Sequence, residues 1–321
     1  MAYGGTIAGT SGSYSQAYVV GVGNNRKFMG GRGIMSGGTP NVDTIDYCTI
    51  GIVSDAIDFG NLSVARQHLS SGSNGSRIIH FGGNGPADTS RIDFSNAMSL
   101  GDATDFGEMA GERASGSNRM GSAPDGNRSG YAGGTSPTTG LSNIDYVTIG
   151  TFGNSIEYGL MLGNRDGQAG VSDGVRGVTA GGNPPSDAME YWTIGRAGDA
   201  VDFGELAAAQ IFAGSSGASN GSRGVFVGGY HGGSNFDSTI QYITIGSLGD
   251  GVDYGECAGG GNGGYGHAVI SDGERAIGTG GSDPGGNTTQ MNYFPIASGG
   301  FPIDFGELTQ GRTAHGASSG G

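Results

Sequence analysis

One aromatic residue returns at a nearly constant interval along the chain. Phe59, Phe106, Tyr158, Phe203, Tyr254 and Phe305 lie 47, 52, 45, 51 and 51 residues apart. Each is preceded by an acid (Asp58, Asp105, Glu157, Asp202, Asp253, Asp304) and followed by glycine. A longer phrase travels with it. An arginine (Arg32, Arg77, Arg128, Arg176, Arg223, Arg275) opens a run ending in Gly-Gly, and a second aromatic follows (Tyr47, Phe94, Tyr146, Tyr191, Tyr242, Tyr293). A fixed phrase with a drifting spacing is the mark of constant strands joined by variable loops. The 72 glycines among 321 residues therefore read as turns and close approaches, and the low-complexity reading fails.

Each unit holds four short extended runs. In the fifth they are 213–218, 224–227, 240–245 and 251–254, with Asn220-Gly221 as the first turn. Asn74-Gly75, Asp125-Gly126, Asp173-Gly174 and Asp272-Gly273 are its counterparts. Such pairs adopt positive φ cheaply and close β-hairpins. Four antiparallel strands per unit of roughly 50 residues predict a propeller blade. The expectation is an all-β, six-bladed β-propeller over residues 30–321, with residues 1–29 as an N-terminal arm. Apolar residues make up only 35% of the chain, so the core must be thin and distributed between blades. The recurring aromatics should fill those gaps, each contributing about 1.5–3 kcal/mol by burial. Gly-Gly should let neighbouring backbones approach where a Cβ would clash.

A propeller must also close, or leave sheet edges exposed. Residues 311–319 match a first strand that lacks its blade, and they are the preferred partner of the strand near Arg32. Gln16 to Val22 is the rival for that place.

The repeated arginine and the repeated acid have two readings: a charged ring that binds a ligand, or Arg–carboxylate bridges tying strands or blades together. Arginine's bidentate geometry and the near absence of lysine (Lys27 alone) favour the bridges. A second arginine follows the fourth strand at Arg66, Arg113, Arg165 and Arg312.

The double glycine followed by two aromatics resembles the kelch repeat, although kelch usually carries Trp at the last position and this chain has Phe or Tyr. The phrase DAxDFGxL with IDYxTI also resembles repeats in structural proteins of marine bacteriophages, cyanophages especially, over about residues 30–321. That resemblance implies a virion structural protein of tail, fibre or capsid-appendage type. It would act as an interaction or adhesion propeller in a symmetric assembly, with other virion proteins and host-surface glycans or a receptor as partners. The alternatives are a cellular kelch-type protein-interaction module and, further off, a carbohydrate-active enzyme.

Composition excludes several classes. The formal net charge is −14 with 15 Lys+Arg, so no basic stripe exists to neutralise phosphates or anionic lipid. The N-terminus lacks a basic region followed by an apolar one, and no apolar run approaches the ~20 residues of a membrane span. Cys48 and Cys257 read as separate thiols used as small apolar residues. His68, His80, His231, His267 and His315 form no metal-binding spacing, and His231 and His267 read as exposed loop residues. The acids are almost all repeat members, so the convergent pair a glycosidase needs is missing. Neither copper ligands nor a phosphate loop is present, and the Asp-Gly turns read as plain turns rather than calcium sites. The expectation is a chain with no catalytic residue, metal or cofactor.

Variation concentrates in the loops after Gly-Gly, which should emerge on one rim. There Tyr230, His231, Asn235, Phe236 and Asp237 form the most ligand-like patch, with an aromatic beside polar groups that could stack on a sugar.

Overall fold

The computed structural model describes residues 30–85, 90–110, 121–136, 139–212, 217–231, 236–256, 266–283 and 285–320. The expected arm, Arg113, Asn235 and Cys257 lie outside them. The described residues contain strands and no helix. They form six four-stranded antiparallel sheets arranged as a six-bladed β-propeller.

From axis to perimeter, blade I contains Gly316–Gly320, Arg32–Ser36, Thr44–Thr49 and Ile57–Asn61. Blade II contains Ser70–Ser73, Arg77–Phe81, Arg91–Asn96 and Thr104–Glu108. Blade III has Gly121–Pro124, Arg128–Ala132, Thr139–Thr148 and Ile156–Arg165, and blade IV has Ala169–Ser172, Arg176–Ala180, Ser186–Thr193 and Val201–Gln210. Blade V has Gly217–Ser219, Arg223–Tyr230, Phe236–Thr244 and Val252–Glu256, and blade VI has Ala268–Ser271, Arg275–Thr279, Gln290–Pro295 and Ile303–Glu307. The C-terminal strand completes blade I in register, with Met35 opposite Ala317. The position beside Arg32–Ser36 is thus filled by the C-terminal strand, and the rival segment Gln16 to Val22 lies outside the described residues.

The Asn/Asp-Gly turns form as expected. Asn74 Oδ1 accepts from the amides of Ser76 and Arg77 at 3.0 and 2.8 Å, and Gly75 takes φ 88°. Asp125, Asn220 and Asp272 repeat this arrangement.

The core consists of apolar clusters, one at each blade seam. At the I/II seam, for example, Ile34, Ile45, Phe59, Leu62 and Leu69 of blade I meet Ile78 and Ala97 of blade II. No single blade could bury both its faces, so stability is a sum over seams. Phe59, Phe106, Tyr158, Phe203 and Phe305 are buried as wedges, and Tyr254 is only partly so.

The repeated polar residues differ from the bridge expectation in their partners. Asp58, Asp105, Glu157, Asp202, Asp253 and Asp304 point outward and are exposed. Arg32, Arg77, Arg128, Arg176, Arg223 and Arg275 do not reach them. Each guanidinium lies over the third-strand ring of its own blade, 4.1–5.3 Å from the centroid. Each also donates to a carbonyl at the end of the next blade's third strand, as Arg77 does to Ile149 at 3.2 Å and Arg275 to Ile50 at 3.4 Å. A planar cation can stack on a ring and fork to carbonyls at once, which an ammonium cannot.

The Arg–carboxylate bridges that do exist use the other arginines. Arg66 meets Asp93 of blade II at 3.0 Å with both side chains fully buried. Arg312 pairs with Asp46 of blade I, and Arg165 with Glu190 of blade IV. Each bridge crosses a seam.

A third tie explains the phrase DAxDFG. In blade II the loop before the fourth strand folds onto the outer edge of blade I. Gly101 N donates to Phe59 O at 2.9 Å, Ala103 N donates to Asn61 O at 2.7 Å, and Asp102 Oδ1 accepts from Asn61 N at 2.9 Å. The same clasp runs through Asn154 onto Glu108, Asp199 onto Leu160, Asp250 onto Glu205 and Asp55 onto Glu307. The glycine after the aromatic makes room for it. A Cβ on Gly60 would sit 2.5 Å from Gly101 O, and Gly60 holds φ 145°. The clasp covers outer edges that would otherwise offer unpaired backbone groups.

Candidate functional site

The propeller presents three surfaces where a ligand or partner could sit: the loops after Gly-Gly on one rim, the axial channel, and the opposite rim.

On the first rim, at blade V, Tyr230 ends the second strand and Phe236 and Asp237 open the third. His231 Nε2 lies 3.0 Å from Asp237 Oδ2, and its Nδ1 lies 2.7 Å from Ala209 O. Asp237 also accepts from Gln210 Nε2 and from Thr239 Oγ1 at 2.6 Å. Of the expected residues, His231 and Asp237 are brought together, and their polar atoms are engaged by each other and by Ala209, Gln210 and Thr239. They hold the end of the fourth strand of blade IV against blade V.

The axial channel is lined by small residues of the first strands and leaves about 70 Å³. Its serines form a directed chain around the axis: Ser172 Oγ donates to Pro124 O at 2.7 Å, Ser219 Oγ to Ser172 O, and Ser271 Oγ to Ser219 O at 3.3 Å. The lining is neutral, and three of its hydroxyls are committed to carbonyls of the neighbouring blades.

The buried titratable groups are structural in the same way. His80, fully buried, contacts Ser36 Oγ at 2.9 Å through Nδ1 and Ser95 Oγ at 3.0 Å through Nε2. Burial, reinforced by the nearby Arg66 charge, pushes its pKa down to about 3, so it is neutral. His315, bonded to Thr279 Oγ1 at 2.8 Å, is likewise driven well below the usual imidazole range by burial and then by Arg312. Burial raises the Cys48 thiol to about 12, which removes it as a nucleophile. His267, expected as exposed, is buried at 5% exposure. Among the described residues no group of His, Cys, Asp and Glu could hold a metal, and no helix is long and apolar enough to cross a membrane.

The second rim is different. The loops between third and fourth strands carry Ile52, Val53, Met98, Leu100, Phe152, Leu248 and Phe301, all at least half exposed, and Phe301 reaches 86%. The first residues of the outer strands, Ile57, Ile156, Val201, Val252 and Ile303, add to them. On so acidic a chain, this recurring band of exposed apolar side chains sets the second rim apart from the rest of the surface. These residues sit inside the repeat but vary in kind: Val53, Leu100, Phe152, Ala197 and Leu248 occupy one equivalent position. The sequence reading passed over them because it weighted loop length and polar composition.

Fold and site together define a six-bladed β-propeller of the interaction type. No protein-family model and no curated protein matches the sequence.

Proposed function

We propose that this chain is a non-enzymatic structural component of a phage particle, of tail, fibre or capsid-appendage type. In this reading it docks onto neighbouring particle proteins through the apolar rim. The single observation carrying the docking role is that rim: Val53, Leu100, Phe152 and Leu248 stand exposed at the same loop position in four of the six blades. Desolvating such side chains drives association, and the acidic surround keeps the unassembled chain apart in solution. The assignment to a particle rests on the resemblance of the DAxDFGxL and IDYxTI phrases to phage repeats. Contact with host-surface glycans is the extension of this reading to the opposite rim, around Tyr230 and His231.

Mass spectrometry of purified particles tests the proposal. The chain should be present at a fixed stoichiometry, and replacing Phe152 and Leu248 with serine should reduce its incorporation while leaving the fold intact. Absence from particles, together with stable capture of a cytoplasmic host partner, would favour the kelch-type module.

A further inference from the structure

The two rims of the propeller differ in charge as well as in apolarity. Among the described residues, every exposed large apolar side chain except Val64, Leu160 and Leu162 lies on the second rim. Acids are interspersed with them. At the loop tips, Val53, Leu100 and Leu248 precede the exposed Asp55, Asp102 and Asp250 by two residues. At the start of the outer strands, Ile57, Ile156 and Val201 directly precede the exposed Asp58, Glu157 and Asp202, and blades V and VI repeat this pairing. The loops after Gly-Gly on the first rim carry only Asp43 and Asp187 as fully exposed acids among the described residues. Arg196 is the one fully exposed cation among the described residues, and it stands on the second rim. The six repeated arginines of that rim are half-buried, stacked on rings and donating to carbonyls, and the acids outnumber them.

We propose that the second rim takes a cationic partner: a protein surface whose exposed apolar side chains are interspersed with lysine or arginine. The inference rests on the docking role proposed above and adds the chemistry of what docks. The apolar side chains supply the area that leaves water on contact. The acids beside them must then meet opposite charge, because like charges opposed across an interface are strongly unfavourable. That requirement rules against a second copy in face-to-face contact, which would set acid against acid with Arg196 as the only exposed cation among the described residues. It rules equally against an anionic lipid surface and a nucleic-acid backbone. Blade IV departs from the other blades, because Arg196 and Ala197 occupy its loop tip. Arg196 is therefore the one exposed point at which a cationic partner is repelled.

Two synthetic amphipathic peptides serve as probes, with the same leucine face and either lysine or glutamate on the polar face. Binding to the full chain is read by fluorescence anisotropy in low salt and at about 0.5 M salt, where the Debye length shrinks to roughly 4 Å. The lysine peptide should bind about tenfold more tightly than the glutamate peptide in low salt. Asp105→Lys with Asp202→Lys, two acids outside the clasp, should weaken the lysine peptide about fivefold, and Arg196→Glu should tighten it about twofold. Both shifts should collapse in high salt, whereas the loss caused by Phe152→Ser with Leu248→Ser should persist. Asp43→Lys with Asp187→Lys makes the same charge change on the first rim and should leave binding unchanged. All the substituted side chains are exposed, so each variant should keep the parent's thermal unfolding. Equal weakening by the first-rim pair, weakening by Arg196→Glu, or equal binding of the two peptides overturns the proposal. So does self-association that Phe152→Ser with Leu248→Ser abolishes, which would give the rim to a second copy. Particles separate this inference from the reading it rests on. A chain present in particles whose incorporation ignores Asp105→Lys with Asp202→Lys refutes the cationic partner and leaves the particle role standing. A chain absent from particles that keeps the charge signature with the peptides refutes the particle role alone.

Discussion

Seams I/II and V/VI are built on the same plan and tied very differently. At I/II, Arg66 and Asp93 form a fully buried ion pair, Asp102 clasps Asn61, and Phe59 is buried. At V/VI the acid of the third strand is Asn292, the position of the second arginine is Gly261, the clasp residues are Phe301 and Pro302, and Tyr254 is half-buried. What remains at V/VI is the stacked arginine. Arg223 donates to Ile296 O at 3.2 Å, and the Tyr254 hydroxyl donates to the same oxygen at 2.7 Å. Asp46, Asp93, Asp145 and Glu190 follow blades that supply Arg312, Arg66, Arg113 and Arg165, whereas Gln241 and Asn292 follow blades with Gln210 and Gly261 there. Where the cation is missing the anion has become an amide, because a buried carboxylate without its partner is strongly unfavourable.

Arg66→Met should cost about 3–5 kcal/mol in chemical denaturation, because it strands a buried Asp93. Adding Asp93→Leu should recover much of the loss, since the pair together contributes little over an apolar isostere. A recovery smaller than a third of the loss would mean that Arg66 acts chiefly through its donation to His80 O.

The tied seams should also be the acid-sensitive ones. His80 packs at I/II among Ser36, Ser71 and Ser95. Its folded pKa of about 3 lies below the unfolded value of 6.5, so below pH 6.5 the unfolded chain binds the extra proton. Stability should be flat above that pH and fall by about 1.4 kcal/mol per pH unit as pH drops from 6.5 toward 3. His315 adds to the fall in the same direction. His80→Gln should flatten the slope by one proton; an unchanged slope would contradict the buried neutral assignment.

The smallest expected effect restores the missing clasp. Phe301→Asp with Pro302→Ala supplies both the acceptor and the donor, and should stabilise the chain by about 0.5–1.5 kcal/mol. Loss of stability would show that Phe301 is held by something the open seam needs.

Much of this was legible in the sequence. The recurring aromatic and the Asn-Gly turns specified blade number, strand number and core position, because both report local geometry that must repeat in every blade. Closure by residues 316–320 was legible for the same reason. The partners of the polar repeats were not. Arg32 and Asp58 recur together, yet one stacks on Tyr47 and the other faces solvent. Co-occurrence in a repeat says that both are needed, without saying that they meet. The usable signal was the loss of acid and arginine together in the last blades. The apolar rim escaped because its residues differ in kind while sharing a position.

The clasp closes five seams and is missing from the sixth, where Phe301 and Pro302 replace its acceptor and its donor. Glycine-to-alanine substitution at 60, 107, 204, 306 and 255, read by denaturant unfolding, tests this directly. A Cβ at the first four would lie 2.5–2.6 Å from a carbonyl oxygen of the next blade, and each glycine holds positive φ. Each should cost more than about 2 kcal/mol from overpacking and backbone strain together. Gly255→Ala carries the strain alone and should cost only about 1 kcal/mol. Five equal losses would contradict the open seam.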